Sequence, residues 1–71
     1  MYELTPPQQE AFDFIKSFIE QNGYAPTLQE IGAMQGITPQ GAKRHLNALE
    51  KKGKIELKAA KHRKITVIEE N

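Results

Sequence analysis

The sequence predicts a mainly helical α+β fold in which three helices are followed by a two-stranded β-hairpin. Apolar residues first recur at helical spacing, and threonines and glycines divide this part of the chain into three segments. After Gly53 the apolar residues alternate with charged ones, which is the period of a half-buried strand. With 71 residues, 38% of them hydrophobic, the chain is expected to form one domain with a modest core over residues 1–71.

A first helix is expected over residues 6–21. Thr5 is a preferred N-cap residue, and Pro6 is favoured in a first turn. The pair Asn22-Gly23 ends the helical pattern. The residues that recur at helical spacing, and are expected to face the core, are Ala11, Phe12, Ile15, Phe18 and Ile19. The five aromatic residues are expected to build the core rather than to stack on bases, and they are Tyr2, Phe12, Phe14, Phe18 and Tyr24.

A short second helix is expected over residues 28–35. Thr27 and Glu30 have the spacing of a capping box, in which each residue bonds the backbone of the other. Gly36 stands where a left-handed residue commonly ends a helix. The apolar residues expected to point inward are Ile31 and Met34.

A third helix is expected over residues 39–52. Thr38-Pro39 repeats the threonine-proline start of the first helix, and Gly53 ends the segment. Its buried stripe is expected to comprise Ala42, His45 or Leu46, and Leu49. His45 lies at the edge of this stripe and is expected to be a packed, hydrogen-bonded helix residue rather than a ligand.

The hairpin is expected to pair residues 54–58 with residues 64–68. Ile55 and Leu57 alternate with charged residues, and the second run is rich in β-branched residues. The connecting segment contains no glycine, so we expect a tip of about four or five residues rather than a two-residue turn.

Three helices followed by a hairpin form the winged helix-turn-helix arrangement. The second and third helices have the spacing that a helix-turn-helix requires, with Gly36 in the turn and Ile37 filling the angle between them. Gly32 lies inside the second helix, where a glycine costs about 1 kcal/mol relative to alanine. A close approach of the two helices at Gly32 would account for it.

The charge is divided unevenly along the chain. Residues 1–37 carry a net charge of −4 and residues 38–71 a net charge of +5, which together give the formal +1. A surface that binds a polyanion and an ordinary solvated basic face both account for this division.

Several classes of function find no support in the composition. There is no cysteine, Ser17 is the only serine, and neither a glycine-rich phosphate loop nor a carboxylate pair in a cleft is predicted, so an enzyme is not expected. His62 lies in a basic segment without companion ligands, so no metal and no cofactor are expected. Apolar runs of two or three residues are far shorter than the roughly 20 needed to span a bilayer. We expect a cytoplasmic protein that binds neither a membrane nor a small-molecule substrate.

Two stretches of the chain resemble the amino-terminal DNA-binding domain of LexA repressors. They are LTPPQQEAFDFIKSFIEQNGYAPTLQEIG and GITPQGAKRHLNALEKKGKIEL, and they span almost the whole chain. The most specific matches in spacing are Gln8-Gln9-Glu10, Pro26-Thr27 with Glu30-Ile31, Ala42 with His45-Leu46, Ala48-Leu49 and Gly53. The resemblance implies a bacterial or phage-encoded protein at the nucleoid. It also implies that the third helix enters the major groove of a palindromic operator that controls DNA-damage genes of the SOS response.

The same resemblance assigns base contacts to the start of the third helix. By position they are Thr38, Gln40, Gly41, Lys43 and Arg44. This chain has Lys43-Arg44 where typical members carry two glutamates, and Gln40 where they tend to carry asparagine. Arginine and lysine favour guanine and glutamine favours adenine, so the operator is expected to differ by about 1 to 3 kcal/mol for each changed contact. The family's carboxy-terminal half, with its Ala-Gly cleavage bond, Ser/Lys peptidase dyad and most of its dimer interface, has no counterpart in this sequence.

The pattern of the third helix supports a groove-binding face without reference to any family. With its apolar stripe turned to the core, the opposite face presents Gln40, Lys43, Arg44, Asn47 and Lys51. The residues expected to contact the DNA backbone are Thr27, Asn47, Lys51, Lys58, Lys61, Arg63 and Lys64. Alternative roles remain open: Lys51, Lys52 and Lys54 also complement the dipole at a helix C-terminus, and Gln40 can be ordinary surface.

The sequence therefore predicts a site-specific, double-stranded-DNA-binding transcriptional regulator. The resemblance implies a repressor on an inverted-repeat operator, and whether two copies form a weak homodimer on the DNA is left open by the sequence. The alternative is a small winged-helix protein-interaction module that binds a host repressor or polymerase. Basic residues in both the third helix and the wing favour DNA, because a protein-binding surface more commonly exposes an apolar patch.

Overall fold

The computed structural model describes residues 3–57 and 65–68 and contains the predicted succession of elements. The helices are α1 Pro6–Asn22, α2 Leu28–Gln35 and α3 Pro39–Lys51, and the strands are β1 Ile55–Leu57 and β2 Ile65–Val67. The two strands form an antiparallel sheet. The mainly helical winged helix-turn-helix fold predicted from the sequence is thus confirmed. The observed ends of α1 and α3 lie one residue from the expected ones. β1 begins one residue later than expected and β2 ends one residue earlier, and the other two expected strand ends, residues 58 and 64, lie outside the described residues.

The first two helices begin with reciprocal capping boxes. Thr5 Oγ1 accepts a hydrogen bond from the N–H of Gln8 at 3.4 Å, and Gln8 Oε1 accepts from the N–H of Thr5 at 3.1 Å. In α2 the same exchange joins Thr27 and Glu30 at 3.1 and 2.8 Å, as the spacing predicted. Each box satisfies N–H groups that have no partner within the helix, and such a cap contributes about 1 kcal/mol.

A tight turn joins α2 to α3. Gly36 ends α2 with φ 71°, the left-handed conformation predicted for this position. The N–H of Ile37 then donates to the carbonyl oxygen of Gly32 at 2.8 Å. A Cβ atom at Gly32 would lie 2.7 Å from the carbonyl oxygen of Ile37, which is closer than real Cβ contacts allow. The predicted close approach at Gly32 is therefore confirmed, and it sets the position of α3 against α2.

All five elements contribute to one core. Its buried members are Ala11, Ile15, Ile31, Ala42, Leu46, Leu49, Ile55 and Ile65. In the sheet, Ile55 pairs with Val67 and Leu57 with Ile65, so one face of the hairpin closes the core. None of the helices in the described ranges is long and apolar enough to cross a membrane.

Two expectations about the core are wrong. Met34 is 37% exposed because the buried face of α2 is formed by Ile31, as expected, and by Gly32 at the close approach to α3, with Leu28 half-buried. Tyr24 is 64% exposed because it comes after the end of α1, and its ring packs edge-on against Phe18, 5.7 Å between centroids, at the periphery. Of the other aromatic residues, Phe12, Phe14 and Phe18 are partly buried, and Tyr2 lies outside the described residues.

Candidate nucleic-acid interface

The first turn of α3 combines a side-chain cap with a proline. Thr38 Oγ1 accepts a hydrogen bond from the N–H of Gly41 at 3.1 Å, and Pro39 has no N–H to satisfy. The backbone N–H of Gln40 is therefore left for an acceptor outside the helix. Because the helix dipole places partial positive charge at the same end, the start of α3 favours an anion such as a phosphate.

The two long faces of α3 differ sharply in character. Ala42, Leu46 and Leu49 are buried in the core, as predicted. Four exposed residues follow one another on the opposite side at spacings of four, three and four positions, and we call them the α3 outer stripe: Gln40, Arg44, Asn47 and Lys51. Lys43 is also exposed and lies beside this stripe. The structure thus brings together the long polar side chains that were predicted to contact DNA from α3.

The cations of this face are not neutralised by any of the residues that the structure describes. Among residues 3–57 and 65–68, neither Lys43 nor Arg44 has a hydrogen-bond or ion-pair partner. The one carboxylate of α3, on Glu50, is directed at the sheet, where its Oε2 accepts from the N–H of Leu57 at 3.3 Å. Both side chains are therefore available to an external anion or to base edges.

Gly41 lies half-buried beside Ile37 and Thr38 in the first turn of α3. A Cβ atom here would lie 3.4 Å from Ile37 Cδ1 and 3.5 Å from Thr38 Oγ1, which is ordinary van der Waals contact. Unlike Gly32, this glycine is not required by packing, although it costs about 1 kcal/mol relative to alanine inside a helix.

Thr27 is exposed and is the N-cap residue of α2. Its Oγ1 accepts the N–H of Glu30, and its hydroxyl hydrogen is left to donate elsewhere. The carboxylate of Glu30 is bonded to the N–H of Thr27 and places negative charge at this helix start. The start of α2 is consequently less attractive to phosphate than the start of α3.

Lys52 has a role that the sequence did not indicate. It is the C-cap of α3, as expected for a basic residue near the helix dipole, yet its ammonium turns away from the outer stripe. Nζ donates to Gln8 Oε1 at 2.6 Å and to the carbonyl oxygen of Glu3 at 2.9 Å. The Thr-x-x-Gln capping signature of α1 was a detectable signal for Gln8, whereas nothing in the sequence indicates that Lys52 is its partner.

Gln35 joins α2 to α1. Its Nε2 donates to the carbonyl oxygen of Pro7 at 2.9 Å and to Glu10 Oε1 at 3.2 Å. A shallow groove next to this contact is lined by Pro6, Pro7, Glu10, Gln35, Ile37 and His45. His45 is half-buried as expected, but its side chain makes none of the expected hydrogen bonds to the described residues.

The wing is described only at its base. Lys58, Lys61, Arg63 and Lys64, which were predicted to contact the DNA backbone, lie outside the described residues, as does His62. Two backbone hydrogen bonds fix the base of the hairpin, one to α3 and one between the two strand ends. Lys54 N donates to Leu49 O at 2.9 Å, and Ile68 N donates to Lys54 O at 2.9 Å.

The family model for the LexA DNA binding domain matches residues 1–64 of the chain. The chain belongs to the LexA DNA-binding domain family. The LexA repressor of Thermotoga neapolitana is 51% identical over 67 residues, which are 94% of this chain and 34% of the relative. That of Thermosipho melanesiensis is 44% identical over 68 residues, 96% of this chain and 34% of the relative. The chain thus spans about a third of the length of these curated relatives.

Proposed function

We propose that this domain binds double-stranded DNA site-specifically and that it is the DNA-binding part of a transcriptional repressor. The observation that carries the proposal is the outer face of α3, where Lys43 and Arg44 project without partners among the described residues, next to Gln40. The name LexA repressor borne by its bacterial relatives supports the regulatory role. We place the activity in the bacterial cytoplasm, at the nucleoid, and propose no catalysis for this domain.

Two kinds of contact are part of this proposal. The first turns of α3 are proposed to enter the major groove and to read base edges with Thr38, Gln40, Gly41, Lys43 and Arg44. Contacts to the phosphates on either side are proposed for Thr27, Asn47, Lys51, Lys58, Lys61, Arg63 and Lys64. Phosphate contacts supply affinity that salt weakens, whereas base contacts supply the choice of sequence.

One copy of so small a domain makes few phosphate contacts. We therefore expect a single copy to bind in the range of about 10⁻⁴ to 10⁻⁶ M at physiological salt. Two copies on an inverted repeat, with half-sites separated by about one helical turn or a multiple of it, would bind far more tightly. A weak homodimer formed on the DNA is part of this proposal.

The test is selection from a random duplex library at about 0.1 M salt, where phosphate contacts still support binding, followed by sequencing of the retained duplexes. Enrichment of an inverted repeat is the expected result. A matched pair of variants locates the surface: Lys43→Ala and Ser17→Glu change the net charge equally, on the α3 face and on the exposed side of α1 respectively. Only the first is expected to reduce retention.

A protein-contact role is the second candidate, and the exposure of Met34 and Ile37, each 37% exposed beside the α2–α3 turn, favours it. Exposed apolar residues near a groove are typical of protein interfaces. In that case the library would retain no motif, and Lys43→Ala would change nothing. That outcome would overturn the DNA proposal.

A further inference from the structure

The base-reading end of α3 carries hydrogen-bond donors and no carboxylate. Its long exposed side chains are an amide, an ammonium and a guanidinium, on Gln40, Lys43 and Arg44. Glu50, the one acidic residue of the helix, lies at the opposite end and bonds the N–H of Leu57. No acidic side chain of α3 therefore stands near the bases that its first two turns would face.

This donor set is selective among the four bases. Guanine presents two acceptors, O6 and N7, in the major groove, and arginine donates to both at once. Cytosine presents a donor there, and neither lysine nor arginine has an acceptor to offer it. Glutamine both donates and accepts, and this matches N7 and the amino group of adenine.

Helix geometry gives the order of these contacts. Gln40 and Arg44 stand four residues apart in the α3 outer stripe, which corresponds to about 6 Å along the helix axis. Base pairs in DNA are separated by about 3.4 Å. The two side chains consequently reach base pairs one or two steps apart. Lys43 is rotated by about 100° from Arg44 around the helix axis and reaches the edge of the same base pairs.

We propose that each operator half-site is read by Arg44 on a guanine and by Gln40 on an adenine one or two base pairs away, with Lys43 favouring a further guanine. This inference rests on the proposed DNA-binding function and specifies its ligand. Arg44 is the decisive residue, because its central position in the stripe directs its bidentate donors straight out from the core.

The test is a reversal of preference by Arg44→Glu. Arg44 is exposed and has no partner among the described residues, and glutamate is a good helix former, so the fold is expected to persist. The wild-type chain and the variant are each used to select from the same random duplex library. The wild type is expected to enrich guanine at one position of each half-site, and the variant cytosine at that position. In a single duplex, exchange of this G·C pair for C·G is expected to weaken wild-type binding about 5- to 150-fold.

The matched control is Lys51→Glu, which makes the same charge change at another exposed position of the stripe. It is expected to weaken binding to all duplexes alike and to leave the motif unchanged. If Arg44→Glu binds too weakly for selection, Arg44→Gln is used, and a change from guanine to adenine at the same position is expected.

The outcomes distinguish the base assignment of Arg44 from the proposed DNA-binding function on which it rests. In one outcome, the wild type and both Arg44 variants select the same motif, with the affinity of the variants lowered equally for all sequences. That result would mean that Arg44 contacts a phosphate. The base assignment would then be wrong and the DNA-binding function would stand. Failure of the wild-type chain to select any motif would overturn the proposed function itself.

Discussion

The ammonium of Lys52 donates to Gln8 Oε1 at 2.6 Å, and this oxygen also accepts from the N–H of Thr5 at 3.1 Å. One carboxamide thus completes the cap of α1 and holds the C-terminal end of α3. Lys51, the preceding residue, is exposed and free of such contacts to the described residues. Adjacent lysines therefore have separate roles, one within the fold and one on the outer face of α3.

Lys52→Met is expected to lower the free energy of unfolding by about 1 to 2 kcal/mol, because two hydrogen bonds from a charged donor are lost while most of the apolar stem of the side chain is kept. The measurement is urea denaturation. Lys51→Met is the control, and it is expected to change stability by less than about 0.5 kcal/mol. Equal effects of the two substitutions would contradict the role assigned to Lys52.

Lys51→Met should act on DNA binding instead. Loss of one phosphate contact is expected to weaken binding to all sequences and to reduce the slope of log affinity against log salt by about 1. Titration of a labelled duplex at several salt concentrations measures the slope. An unchanged slope would mean that Lys51 only complements the dipole at the end of α3.

Gly41→Ala is expected to stabilise the domain and to impair DNA binding. The added Cβ meets only ordinary contacts, at 3.4 Å and beyond, so removing a glycine from the helix should add about 0.5 to 1 kcal/mol to the free energy of unfolding. The same methyl group would occupy space that the DNA is proposed to use. Thermal denaturation and duplex titration on one sample measure both effects, and undiminished affinity would argue against a contact at Gly41.

Gly32→Ala should have the opposite effect on stability. Its Cβ would lie 2.7 Å from the carbonyl oxygen of Ile37, so α3 would have to move away from α2. We expect a loss of about 1 to 3 kcal/mol, as is typical of overpacking. A variant as stable as the wild type would show that the turn accommodates a methyl group without strain.

Most of the fold could be predicted from the sequence because its signals are local. Thr5, Thr27 and Thr38 mark helix starts. Gly36 indicates a left-handed turn at the end of α2, and this signal does not depend on how the helices pack. The outer face of α3 was predictable for the same reason, since helical period alone places Arg44 opposite Leu46.

The errors and omissions concern contacts between elements. Met34 and Ile31 have the same local pattern, and only the approach of α3 at Gly32 decides which of them is covered. The bond between Lys52 and Gln8 joins residues 44 positions apart, and no periodicity reports such a pairing. The sequence of the segment between the strands shows that it is strongly basic, but it contains no turn motif from which its path could be predicted.

Binding of DNA by the outer face of α3 is tested most directly by mapping amide chemical shifts of the ¹⁵N-labelled chain during titration with its selected duplex. We expect the largest changes from Thr38 to Asn47 and little change at Asp13, Ser17 and Glu20, which are exposed on α1. Changes centred on Tyr24 and Met34, with α3 unaffected, would contradict it.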